Sequence, residues 1–123
     1  MKIFTSPLKT AHIVVHGFAF AHAIVAAIII SRQADPGTIL TILTIAMIII
    51  LTRLNDYPLD VTAALALICC LGGFFLGTNG ATWTSNIFSV STELAQVITT
   101  FWVTEILGWI TYLIVRAPRK QND

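Results

Sequence analysis

At 123 residues, with 56% hydrophobic and only 11% charged side chains and a formal net charge of +1, this chain is too apolar to fold in water around one core. Ordinary soluble domains carry about 25% charged residues, and so short a chain has too little interior to hide the surplus. The near-neutral charge, with a basic tail limited to Arg116, Arg119 and Lys120, argues against a nucleic-acid partner and leaves the lipid bilayer as the expected solvent.

Four apolar segments follow in chain order, at about 10–30, 37–54, 61–78 and 93–115. Each approaches or meets the ~17–25 residues of a helical membrane span. None alternates with period two, so helices are expected rather than barrel strands. Lys2 and Lys9 precede the first segment, which contains Ala21-His22-Ala23 in the manner of a signal peptide. Three histidines interrupt the run, and the segment is expected to be retained. Ser31 to Gly37 reads as a tight Pro-Gly link. The second segment is the shortest and ends on Arg53, which can extend its charged head out of an apolar layer.

The second link, Arg53 to Asp60, holds the densest polar cluster, including Asp56 and Asp60. The third segment carries adjacent Cys69 and Cys70, which read as apolar filler rather than a disulfide or metal site. Its Gly73-Phe74-Phe75-Leu76-Gly77 run is a small-residue packing element. An uncharged outer link is expected from Asn79 to Thr92. Ser91-Thr92-Glu93 then caps the last segment.

Lys2, Lys9, Arg53, Arg116, Arg119 and Lys120 fall on one side of a four-crossing layout, and only Arg32 on the other. The excess of positive charge places that side in the cytoplasm. The expected fold class is therefore all-α: a polytopic membrane protein of four transmembrane helices in an antiparallel bundle, forming one domain over 1–123. Both termini are expected to be cytoplasmic, in an inner or plasma membrane.

Glu105 stands out because it is the one ionisable side chain between Leu94 and Val115. A carboxyl at bilayer depth costs several kcal/mol unless protonated, paired or wetted, which marks it as a functional candidate. Counting ~1.5 Å per residue from each segment's start places Glu105, Thr104, His22, Thr44 and Cys69 or Cys70 in one central layer. The expected pair is Glu105 with His22, suited to proton transfer. A structural carboxyl that merely holds the bundle together is the alternative.

Trp102, Glu105 and Trp109 share a helix face, with Tyr112 continuing it and Gly108 beside it. An organic cation between the indoles is one reading of that stripe, and simple packing the other. His12 and His16, spaced i, i+4, could face one metal ion, but no further ligand is positioned by the sequence and no metal is expected. With Arg53, Asp56 and Asp60 they could form a cytoplasmic polar mouth, or merely line a solvated turn. No cofactor is expected, haem ligation by His22 being the alternative.

The size, the four-helix plan and a membrane carboxylate beside aromatics resemble the small multidrug-resistance transporters. Here the carboxylate lies in the last segment, in Trp102-Val103-Thr104-Glu105-Ile106, whereas that family carries its glutamate in the first, and no residue role is carried over. No autonomous catalytic motif is present. The expectation is a small transporter or channel-like protein, homo-oligomeric, using Glu105 as a protonatable site. The alternatives are a non-catalytic subunit of a larger membrane enzyme or respiratory complex, contacting haem or quinone, and a lipid-directed enzyme at the His12, His16, Asp56, Asp60 end.

Overall fold

The computed structural model describes residues 7–116, which form four helices: α1 (Pro7–Ser31), α2 (Gly37–Leu54), α3 (Leu59–Phe88) and α4 (Thr92–Arg116). All four are long and apolar enough to cross a membrane. Lys2, Arg119 and Lys120, used above to infer orientation, lie outside the described residues. The outside of the bundle is covered by large apolar side chains, among them Ile13, Phe20, Ile24, Leu67, Leu71, Phe74, Phe75 and Ile106. The interior mixes alanines and threonines with a few large apolar side chains, Met47, Ile48 and Leu51 among them. Such a distribution suits an apolar solvent, in which van der Waals packing and interhelical hydrogen bonds hold helices together.

The links end helices without glycine. Gln33 and Asp56 adopt left-handed backbone conformations, with φ of 56° and 54°. Beside each, a backbone N–H reaches five residues back: Ala34 to Ile29 O at 3.1 Å and Tyr57 to Thr52 O at 3.0 Å. These bonds satisfy carbonyls that the helix end would otherwise orphan. At the other ends, Asp35 Oδ1 accepts the Gly37 N–H at 3.0 Å, and Ser91 Oγ accepts the Leu94 N–H at 3.3 Å. The second of these is the cap expected for the last segment.

α3 continues ten residues past the expected end, so 79–88, expected as part of the outer link, are helical. Polar side chains where it continues satisfy themselves on carbonyls one turn back, so the helix need not end to hydrate them. Thr78 donates to Phe74 O at 2.8 Å, and Asn79 to Phe75 O at 2.9 Å. The helix ends at Ser89, left-handed with φ 51°.

Neighbouring helices run antiparallel. Thr52 and Thr62 join α2 to α3 at 2.9 Å, and Thr84 and Thr99 join α3 to α4 at 3.0 Å. These pairings bring Pro7, the α2–α3 link and Arg116 to one end, called here the terminal end. Between α1 and α4 the register is set by contacts that climb one helix as they descend the other: His12 against Trp109, His16 against Glu105, and Phe20 against Phe101.

Gly108 fixes that register. A Cβ placed there would sit 2.8 Å from Val15 Cγ1 and 3.3 Å from Met47 Sδ, so α1, α2 and α4 meet over its bare backbone. On α3, Gly73 packs against Leu107, while a Cβ on Gly72 or Gly77 would meet nothing within 4 Å. The Gly73–Gly77 element therefore makes one helix contact here, not two.

The apolar core comprises Val15, Met47, Ile48, Leu51, Leu65, Cys69 and Val115. In α2 all the buried residues, Met47, Ile48, Leu51 and Thr52, belong to its second half. The first half has no fully buried side chain; it touches α1 through Thr44 and His22 and borders a gap toward α3 and α4.

Candidate functional site

Glu105 is buried at 7% exposure near the middle of α4, and both its carboxyl oxygens are bonded. His16 Nδ1 lies 2.5 Å from Oε1, and the Trp109 indole N–H donates to Oε2 at 3.1 Å. Beyond it, His12 Nδ1 lies 3.2 Å from His16 Nε2. Trp109 also packs edge-on against the His12 ring, with centroids 4.6 Å apart. The result is a continuous hydrogen-bonded row, Glu105–His16–His12, running from the middle of the bundle toward the terminal end. His16 is half exposed, and His12 is exposed on the flank of α1.

The chemistry of the row follows from its donors and acceptors. An ionised carboxylate only accepts, and a neutral imidazole has one N–H and one lone pair. With Glu105 ionised, His16 Nδ1–H donates to it, so His16 Nε2 accepts the His12 Nδ1–H. With Glu105 protonated the whole row reverses: the carboxyl O–H donates to His16 Nδ1, and His16 Nε2–H donates to His12 Nδ1. Both arrangements keep both hydrogen bonds of the row, and the second holds one hydrogen more. A proton taken up at His12 Nε2 passes the His12 Nδ1 hydrogen to His16 Nε2 and the His16 Nδ1 hydrogen to Glu105 without breaking the chain, as a relay requires.

His22 is not the partner of Glu105. It lies six residues further along α1 than His16, ~9 Å at the usual helical rise. The helix starts used to count depth do not fix the register, which Gly108 and Val15 set instead. His22 is buried, with Nδ1 2.6 Å from Phe18 O and Nε2 3.1 Å from Thr44 Oγ1. A carbonyl can only accept, so Nδ1 carries hydrogen. Both ring nitrogens are thus engaged, and ligation of a haem would have to displace Thr44.

Thr104 is buried beside Glu105 in the chain but takes no part in the row, its hydroxyl donating to Thr100 O at 2.8 Å. Cys69 Sγ is 3.5 Å from Thr111 Oγ1, a structural contact between α3 and α4.

The aromatic stripe divides. Trp109 holds Glu105 and packs edge-on against Tyr112 at 5.8 Å. Trp102 is 60% exposed and touches Phe101 at 5.5 Å, so it does not enclose the carboxyl from a second side. At 3.6 residues per turn Trp102 and Trp109 point within about 20° of each other, so depth separates them: they lie seven residues apart along α4, and His12 of α1 packs on Trp109. Trp109→Phe is accordingly expected to lower any activity that depends on Glu105 several-fold, ~1 kcal/mol for a lost hydrogen bond. Trp102→Phe should leave it unchanged. Parallel assays of the two variants check this.

Arg53 and Asp60 are exposed at the α2–α3 link, and Asp56 occupies the left-handed position that closes α2. His12 and His16 make their contacts with α4. Among the described residues, no group of three His, Cys, Asp or Glu side chains is placed to hold a metal ion.

A cavity of about 390 Å³ lies on the other side of α4, in the gap bordered by the first half of α2. It extends from Asp35 and Thr92 at the α1–α2 link end to His22, Thr44 and Thr104 at its floor. No motif or spacing in the residues points to it directly. The nearest signals were the glycines and threonines of α3 and the polar residues grouped around His22.

These features define the class: an all-helical bundle of four helices able to cross a membrane, with a buried carboxyl on a histidine row. Comparison with protein-family models, curated proteins and solved structures found no match. Its function is therefore argued from this geometry.

Proposed function

We propose that this protein is a small integral membrane transporter or channel-like protein in which Glu105 takes up and releases a proton through His16 and His12. The observation that carries this reading is the unbroken row from the buried carboxyl to an exposed imidazole, each link within hydrogen-bond reach. Acidic and histidine chains at membrane depth are the usual material of proton relays. The proposal places the terminal end in the cytoplasm of an inner or plasma membrane, because Lys9, Arg53 and Arg116 lie there and Arg32 lies at the opposite end. Reporter fusions check the sidedness. A reporter active only in the cytoplasm should work at the C-terminus and fail when inserted at the Arg32–Asp35 link.

The direct test of function is proton movement into vesicles holding the purified protein, compared with Glu105→Gln. Uptake that depends on Glu105 supports the reading. Equal uptake by both proteins removes it.

A second reading, a transmembrane subunit of a larger assembly or a homo-oligomer, draws on one feature. His12 and His16 reach the outer flank of α1 beside Ile13 and Phe20, where acyl chains offer no hydrogen bonds. A neighbouring helix would cover that edge. Purification from native membranes discriminates: a fixed companion chain favours the subunit, a multiple of this chain alone favours the oligomer.

A further inference from the structure

The cavity beside α2 has a chemistry of its own. Four threonines on its walls have their hydroxyl hydrogens already committed. Thr41 donates to Gly37 O at 2.8 Å, Thr78 to Phe74 O at 2.8 Å and Thr104 to Thr100 O at 2.8 Å, while the one Thr44 hydrogen serves the His22 Nε2 lone pair at 3.1 Å, with Leu40 O also within 2.9 Å. A hydroxyl has one donor and two acceptor positions, so what these residues leave for an occupant is oxygen lone pairs. Asp35 adds a carboxylate at the mouth, and among the described residues no lysine or arginine lines the space. The His22 ring is bonded at both nitrogens, which leaves the Gln96 amide and the Thr92 and Thr100 hydroxyls as the side-chain donors on the walls.

Acceptors that outnumber donors favour a ligand that brings several N–H groups and a positive charge. An ammonium offers three donors and no acceptor. Buried, it needs each of them satisfied, because an unmet polar group in an apolar layer is costly. The remaining wall is apolar or bare, with Gly77 beside Phe74, Val103 and Leu107. That surface suits a short hydrocarbon chain. At about 390 Å³ the space lies toward the small end of ligand sites, which run from ~300 to ~1,000 Å³.

We propose that this cavity binds a small primary alkylammonium ion, with its N–H groups on the threonine oxygens, its charge answered by Asp35 and its chain against Gly77. This goes beyond the proton row on the α1 side of α4 and does not require Glu105.

The test is calorimetric titration of the full chain in lipid nanodiscs with propylammonium, tetramethylammonium and propanol. Tetramethylammonium keeps the charge and removes the donors; propanol keeps the chain and removes the charge. Propylammonium is expected to bind at least ~10-fold tighter than either. Gly77→Val, whose added Cβ meets no neighbour within 4 Å, should leave thermal unfolding unchanged and weaken propylammonium by ~10-fold or more. Asp35→Asn should weaken it less, since the mouth is open to solvent.

Equal binding of the three probes, no binding of any, or full binding by folded Gly77→Val overturns the proposal. Glu105→Gln protein should still bind propylammonium. A variant that binds but moves no protons keeps the two conclusions separate.

Discussion

Glu105→Gln is expected to reduce proton flux through the reconstituted protein by ~100-fold, the lower end of what losing a positioned proton-transfer group costs. The substitution is informative because it keeps shape and bonding. A glutamine oxygen still accepts the Trp109 N–H, and its amide can donate to His16 Nδ1, so the α1–α4 contact stays closed. What disappears is the group that can hold or release a proton. Without it the row cannot alternate between its two hydrogen-bond directions. The measurement is the response of a pH-sensitive dye inside vesicles under an imposed potential, with thermal unfolding recorded alongside.

His16→Gln should behave similarly, because it severs Glu105 from His12. His22→Gln should retain flux, since His22 bonds to Phe18 and Thr44 and not to the row. Flux that falls with His22 and not with His16 contradicts the assignment.

The second large effect concerns packing. Gly108→Ala places a methyl group 2.8 and 3.0 Å from the two Val15 γ-carbons and 3.3 Å from Met47 Sδ. Val15 is fully buried and β-branched, so it has little rotamer freedom with which to yield. Overpacking of this kind costs ~1–3 kcal/mol. Alanine's better helix propensity recovers at most ~1 kcal/mol of that.

A lower midpoint for thermal unfolding in detergent is the expected result. Val15→Ala in the same chain should restore most of the loss by giving the methyl its space. Gly77→Ala is the control, expected to keep or raise the midpoint, because nothing lies within reach of its Cβ and only the helix propensity changes. If Gly108→Ala unfolds at the same temperature as Gly77→Ala, α1 and α4 do not approach over Gly108. The register that joins His16 to Glu105 then loses its support.

Much of this arrangement was legible in the residues. The Pro-Gly link at 36–37, the Tyr57-Pro58 turn and the Ser91 cap mark helix ends by local chemistry, and the spans between them are long and apolar. The end of α3 was not legible by that route. Asn79, Thr82, Thr84 and Ser85 lower the hydropathy and read as a link, yet Thr78 and Asn79 bond back to α3 itself. Asn and Thr bonding one turn back within a helix satisfy themselves and need no water.

At the candidate site, Glu105 and Trp109 were recognisable from one helix face. The partner was not, because relative sliding of two helices is decided by side-chain contacts across them. A shift of six residues in α1 exchanges His22 for His16, and the glycine that fixes it lies on the other helix. The cavity was hidden for a related reason. It arises because α2 buries Met47, Ile48, Leu51 and Thr52 but little of its first half, a difference in packing between two equally apolar halves.

The most direct measurement of the proton row is infrared difference spectroscopy of the protein in bilayers, wild type against Glu105→Gln. Selective labelling of histidine assigns the ring bands. The row predicts that exchanging the Glu105 carboxyl for an amide shifts ring bands of His16, that the shift is absent when the comparison is made in His16→Gln protein, and that it persists in His22→Gln protein. Histidine bands unmoved by Glu105→Gln, or moved only where His22 is present, contradict it.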